Sequence, residues 1–245
     1  MSQFDKLEDP RRRLLVEALA LGLFSTAMPA RVGLAQGIFG NRLERLPPGQ
    51  SVYRLSGTVT VNGTAATLQT KVRPGDTVET GERSEIIFVV GGHAMILRDQ
   101  GRLEIEGTKQ ASASLLIRGL RLLTGKLLSV SRNTTMRVIT ATATIGIRGT
   151  GWYAESEPAQ TYFCNCYGVI DVTAKRDPQS RTTVQSTHHD RPLYILGSSA
   201  EGKAIRDAPF INHTDQELML IERLVGRTPP FVFPRGDYGS PRRDY

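Results

Sequence analysis

A chain of 245 residues, 39% hydrophobic and 22% charged, has the composition of ordinary globular material, enough for one sizeable domain with an appendage. That balance excludes a disordered protein and a multi-span membrane protein. The formal charge of +7 invites a nucleic-acid partner, but Lys and Arg are scattered and no basic aromatic platform forms, so no nucleic-acid binding is expected.

Residues 1–35 read as an export signal. Arg11-Arg12-Arg13 precedes the moderately apolar run Leu14 to Met28, interrupted by Glu17, and small residues follow around Ala35 where a signal peptidase reads. The arginines ahead of a weakly hydrophobic core resemble a twin-arginine motif, although Pro10 stands where Ser or Thr is usual. A membrane anchor needs about 20 apolar residues. The segment is shorter and carries an acid, so no stable span is expected after cleavage, and the expected location is the periplasm. Residues 36–51, with Pro47-Pro48-Gly49, form a leader.

From Val52 onward come short β-rich runs separated by turn residues. Val52 to Val61 ends at the hairpin signal Asn62-Gly63. Lys71 to Glu79, Ile86 to Val90, Ala94 to Arg98 and Leu103 to Glu106 follow. Leu115 to Ile117, Leu120 to Leu123 and Leu127 to Val130 are expected as three further strands. Spacings near ten residues imply a mainly β architecture over residues 52–174, a sandwich, a barrel or a rolled solenoid-like sheet.

The most distinctive stretch is Arg137 to Glu155, RVITATATIGIRGTGWYAE, whose β-branched residues demand extended backbone. Gly146, Gly149 and Gly151 among large neighbours suit a bulge, a tight corner or close approach of another backbone, and Gly149-Thr150-Gly151 marks the expected bend. Lacking the Lys-Ser/Thr of a P-loop, these glycines read as a structural corner rather than a phosphate cradle.

Thr140, Ala143, Gly146, Ile147, Arg148, Gly149, Thr150 and Trp152 resemble the signature of the FecR domain, with Ala141 in place of its usual Pro. Upstream, Gly75-Asp76-Thr77-Val78, Thr80-Gly81 and Ser84 are similar to that family's opening motif, and Leu123-Thr124-Gly125-Lys126-Leu127 to a later step. The resemblance covers about Val52 to Ala174. It implies the rolled β scaffold and assigns Thr140, Gly146, Arg148, Gly149, Thr150 and Trp152 to the structural motif. Only 13 residues precede the apolar run, too few for the cytoplasmic anti-sigma domain of FecR regulators. A stand-alone, exported FecR-like protein is therefore expected.

Both cysteines lie in Cys164-Asn165-Cys166, on the extended run Thr161 to Thr173. Residues two apart on a strand face one side, so the sulfurs point together. The loop Lys175 to Arg181 returns the chain through Thr182 to Thr187 to His188-His189, which brings imidazoles toward the cysteines if the two runs form a hairpin. Successive residues point oppositely, so one of His188 and His189 is expected to join the thiols. His213, in the connecting segment 175–213, arrives only if the C-terminal segment docks. Thiolate and imidazole are ligands of zinc, copper and iron–sulfur centres. A disulfide, a redox pair and plain buried thiols compete with that reading.

Thr214-Asp215-Gln216-Glu217 forms a capping box opening a helix over 214–226, with Leu218, Ile221, Leu224 and Val225 on one stripe and Gly226 at its end. Residues 227–245, rich in Pro, Gly, Arg and Tyr, read as a disordered tail. No G-x-S-x-G, H-E-x-x-H or framed acidic pair is present. The expected function is a non-enzymatic periplasmic binding or assembly module, with a periplasmic protein or cell-envelope ligand as partner and a Cys/His metal site. The alternative is a periplasmic thiol- or metal-dependent redox protein.

Overall fold

Strict alternation along the central strands decides the architecture. A computed structural model describes residues 45–109, 115–131, 135–198 and 202–231, all within the unit Arg42–Tyr245. The expected export signal, most of the expected leader and the expected tail beyond Phe231 lie outside the described residues.

The expected mainly β fold with one C-terminal helix is what the structure shows. The strands are β1 (Val52–Ser56), β2 (Val59–Val61), β3 (Thr64–Ala65), β4 (Thr77–Thr80), β5 (Glu85–Val90), β6 (His93–Leu97) and β7 (Arg102–Lys109). Then come β8 (Leu115–Ser131), β9 (Thr135–Ile139), β10 (Ala143–Ser156), β11 (Gln160–Ala174), β12 (Arg181–Ser186), β13 (Leu193–Leu196) and β14 (Ile205–Asp207). Helix α1 spans Asp215–Leu224. All strands belong to one sheet, whose ladders are antiparallel except for the parallel pair of β8 and β9.

Two features of the strands differ from expectation. The three short strands expected between Leu115 and Val130 are one 17-residue strand, β8. Its glycines do not end it. Gly125, at φ +86°, admits the backbone of Gly101 so closely that a Cβ would stand 2.5 Å from the Gly101 Cα. A corner that the sequence did not mark lies at Thr140 to Thr142, between β9 and β10. Thr140 Oγ1 accepts from Ala143 N–H at 3.1 Å and meets Thr161 Oγ1 at 2.7 Å. Gly149-Thr150-Gly151 bends the chain as a bulge within β10, where the register shifts. Before it β10 pairs with β9, and after it with β8. Gly151 lets the Tyr167 ring lie where a Cβ would sit.

Residues of opposite parity feed two separate cores. On the inner face, Phe88, Met95, Leu97, Leu127, Trp152, Ala154 and Phe163 join one apolar cluster, with Trp152 stacked on Phe163 at 5.4 Å between centroids. On the outer face, Ile87, Ala94, Ile96, Leu128, Tyr153, Tyr162, Cys164 and Cys166 pack with Leu218, Ile221 and Leu224 of α1. Each large side chain so buried stabilises the fold by about 1.5–3 kcal/mol. The helix covers what would otherwise be the wet face of these strands. Every residue of β6 is buried as a result.

Candidate metal centre

Cys164 and Cys166 sit on the outer face of β11, and the pairing of that strand explains how histidines reach them. On one side β11 is paired by β13 over Gln160 to Phe163 and by β12 over Gly168 to Thr173. Between those ladders lies a gap at Cys164 to Tyr167. The chain leaving β12 enters it, and His189 N–H donates to the Cys166 carbonyl at 3.0 Å. Asp190 fixes the turn, its carboxylate accepting from Thr187 N–H at 2.6 Å and from Thr187 Oγ1 at 2.9 Å. His189 itself takes φ +56°, which aims its ring inward.

His213 arrives from the other direction. Ala208 N–H donates to the Pro192 carbonyl at 2.9 Å, and Tyr162 hydroxyl donates to the Pro209 carbonyl at 3.0 Å, laying the segment over the sheet. Thr214 caps α1 in a capping box with Glu217. Arg98 of the sheet grips the same corner: its guanidinium meets both Glu217 oxygens at 3.0 Å and donates to the Asn212 carbonyl. The Tyr153 ring stacks on His213 at 4.5 Å.

Four soft ligand atoms converge. Cys164 Sγ lies 3.4 Å from His189 Nδ1, Cys166 Sγ lies 3.4 Å from His213 Nε2, and the two imidazole nitrogens are 3.3 Å apart. All four atoms fall within 4.8 Å of one another. A tetrahedral zinc ion with ordinary bond lengths sets S···N edges of roughly 3.5 Å and an N···N edge of roughly 3.3 Å. The observed spacings are those edges. Cys164, Cys166 and His213 have no exposed surface and His189 is 9% exposed, so the arrangement is closed to bulk water.

The far nitrogen of each imidazole is engaged. His213 Nδ1 donates to the Ile211 carbonyl at 2.7 Å, which leaves Nε2 bare toward Cys166. His189 Nε2 donates to Asp215 Oδ1 at 3.0 Å, which leaves Nδ1 for Cys164. Such backing fixes the tautomer and orientation of a metal-ligating histidine. His188 stands outside the four: its Nε2 turns to the same Asp215 at 3.0 Å, and its ring lies 4.4 Å from Phe231. Adjacent backbone positions cannot both aim at the sulfurs.

The four groups and Asp215 shift one another's ionisation. Both thiols are free. Burial opposes ionisation of Cys164, but hydrogen bonds from Cys166, His189 and His213 outweigh it and hold that thiol well below its usual value. Burial pushes Cys166 well up, helped by the neighbouring Cys164 charge. Burial alone would neutralise His189, yet Asp215 and Cys164 raise it to about 9. Burial lowers His213. Burial would raise Asp215, but hydrogen bonds from His189 and His188 hold it below the carboxylate range. The two thiols are thus pushed in opposite directions, and so are the two imidazoles, within one closed space.

The sequence reading missed Asp215 and Arg98. Asp215 looked like an ordinary first-turn acid of the helix, and Arg98 like the end of a strand. Of the residues expected to form a structural motif, Arg148 pairs with Asp171 at 2.7 Å on the surface, Trp152 is buried in the interior, and Gly146 and Gly149 lie in β10. Thr150 falls at the bulge of the same strand.

No family model matches the chain, and no curated protein matches it. Among solved structures, two crystal structures of a putative anti-sigma factor from Parabacteroides distasonis ATCC 8503 are similar to it, at 13% and 12% identity. Their TM-scores are 0.43 and 0.42, and each match covers 66% of this chain and 82% of the other. Among the described residues no helix is long and apolar enough to cross a membrane.

Proposed function

We propose that the chain is an exported FecR-like β scaffold of the periplasm that holds a metal ion in its Cys164, Cys166, His189 and His213 centre and acts as a binding or assembly module rather than an enzyme. One observation carries the reading. Two thiols and two imidazoles from three separate segments meet at single-ion spacing, and the far nitrogen of each ring is already committed to Ile211 or Asp215. A hydrophobic outer face needs no such group for stability, and buried polar atoms are costly unless satisfied. The export reading rests on Arg11-Arg12-Arg13 and the apolar run behind it, and the FecR-like reading on the motif series ending at Trp152. The partner is a periplasmic protein or envelope component.

The test is metal content in protein recovered from the periplasmic fraction, compared with a Cys164→Ser, Cys166→Ser double variant. The expected result is about one ion per wild-type chain and none in the variant. Equal, negligible metal in both, or recovery of the protein only from the cytoplasm, defeats the corresponding half of the proposal.

A second reading draws on the order Cys164 Sγ, His189 Nδ1, His189 Nε2, Asp215, with steps of 3.4 and 3.0 Å. That is the order of a nucleophile, its base and an orienting carboxylate. Both sulfurs are wholly buried, so a substrate would have to displace the covering segment. Rapid alkylation of Cys164 in the folded, metal-free protein by a small iodoacetamide, abolished in His189→Ala, would favour this reading.

A further inference from the structure

We infer that the centre is a zinc site whose filling fastens the C-terminal segment, residues 208–224, onto the sheet, so that metal loading governs whether the outer face of the scaffold is covered. This rests on the metal reading above and adds the ion and its consequence.

The ion follows from geometry and charge. Two sulfurs and two nitrogens within 4.8 Å of one another leave room for one ion and not for a two-iron cluster, which spreads its ligands over two metal atoms. Two thiolates cancel the charge of a divalent ion, so the filled centre is neutral where burial penalises charge. Monovalent copper would leave a net negative charge there. A tetrahedral S2N2 set with every position supplied by protein is the arrangement of structural zinc.

The consequence follows from where the ligands originate. Cys164 and Cys166 belong to β11 in the middle of the sheet, and His189 is tied to β11 through the Cys166 carbonyl. His213 alone comes from the covering segment. Its backbone neighbours carry much of what else holds that segment: Arg98 to the Asn212 carbonyl and Glu217, Asn212 Nδ2 to Glu155 at 2.8 Å, and Ile211 N–H to the Tyr162 hydroxyl at 3.3 Å. The apolar anchors Leu218, Ile221 and Leu224 lie further along. A metal–His213 bond thus adds a covalent-strength link between the sheet and a segment otherwise held by hydrogen bonds with Pro192, Tyr162, Arg98, His189 and Tyr167 and by the apolar face of one short helix. His213 Nε2 faces His189 Nδ1 at 3.3 Å with the two sulfurs beside them, so the segment's histidine is already aimed at the point where an ion would join all four. Metal binding to such a set is folding free energy for whatever brings the ligands together.

Amide hydrogen exchange on the full chain, zinc-loaded and after chelator treatment, tests the inference. Removing zinc is expected to speed exchange across residues 208–224 by about tenfold or more, with Ile86–Val90 of β5 unchanged. A His213→Ala variant given free imidazole separates ligand from tether. Imidazole is expected to restore zinc retention while residues 208–224 continue to exchange fast. Stoichiometric zinc with no difference in exchange overturns the fastening and leaves the metal centre standing, as does a His213→Ala protein whose segment stays protected. Failure of the wild-type chain to bind zinc at all overturns both.

Discussion

The two faces of the central strands solve the same burial problem by different chemistry. Along β10 and β11 the inner face places Trp152, Ala154 and Phe163 in an apolar cluster, whereas the outer face places Tyr153, Tyr162, Cys164 and Cys166 beneath a helix and a histidine. The inner face is held by dispersion and exclusion of water alone. The outer face is held partly by polar groups that must find partners, among them the Arg98 corner and the four soft ligands. A core of the first kind is insensitive to metal and to the protonation of its members; one of the second kind is not.

The sharpest way to separate the faces is to damage the inner one. Trp152→Ala removes a fully buried ring stacked on Phe163 and is expected to cost about 3–5 kcal/mol, equally with and without zinc. Denaturant unfolding in both conditions measures this. A cost that shrinks when zinc is added would mean that the two faces are not independent.

Next in size is the polar corner. Arg98→Met leaves Glu217 without the guanidinium that meets both its oxygens at 3.0 Å, in a pair whose side chains are 8% and 17% exposed. The expected loss is about 2–4 kcal/mol, concentrated in faster exchange of α1 rather than of β8. Uniform destabilisation of the whole sheet would show that the corner does not act locally.

The His93 ring offers a comparison by pH. Burial, and then the Arg227 charge, lower it to about 4 from its ordinary 6.5. The folded state therefore binds fewer protons than the unfolded chain between those values. Its contribution is complete above about pH 6.5 and is lost as pH falls toward 4, worth roughly 3 kcal/mol over the window. His93→Gln should flatten that part of the stability profile; an unchanged slope between pH 6.5 and 4 would show that His93 does not set it.

The smallest effect belongs to a signature residue. Arg148 pairs with Asp171 at 2.7 Å, but both side chains are about half exposed, at 54% and 49%, so Arg148→Ala should cost less than about 1 kcal/mol. A loss of several kcal/mol by thermal unfolding would give this arginine a structural role beyond its visible pairing.

What the sequence made legible follows from how local each cause is. The capping box at Thr214 and Glu217 is a four-residue pattern and was read correctly with its helix stripe. The β content followed from β-branched runs. Glycines misled, because a glycine that permits close approach, as Gly125 does beside Gly101, looks the same in sequence as one that ends a strand. That cut β8 in three, whereas Gly149 and Gly151 did mark a bulge in β10. At the site, period-2 geometry put both sulfurs on one face. Which histidine would join them depended on a left-handed residue at His189, and its backing depended on Asp215 from a segment 26 residues away. No local pattern encodes such a meeting.

X-ray absorption at the zinc edge of the purified, zinc-loaded chain tests the outer-face account most directly. The account predicts two sulfur scatterers at about 2.3 Å and two nitrogens at about 2.0–2.1 Å around a four-coordinate ion. A shell of oxygen and nitrogen alone, or a sulfur count unchanged by Cys164→Ser, would contradict it.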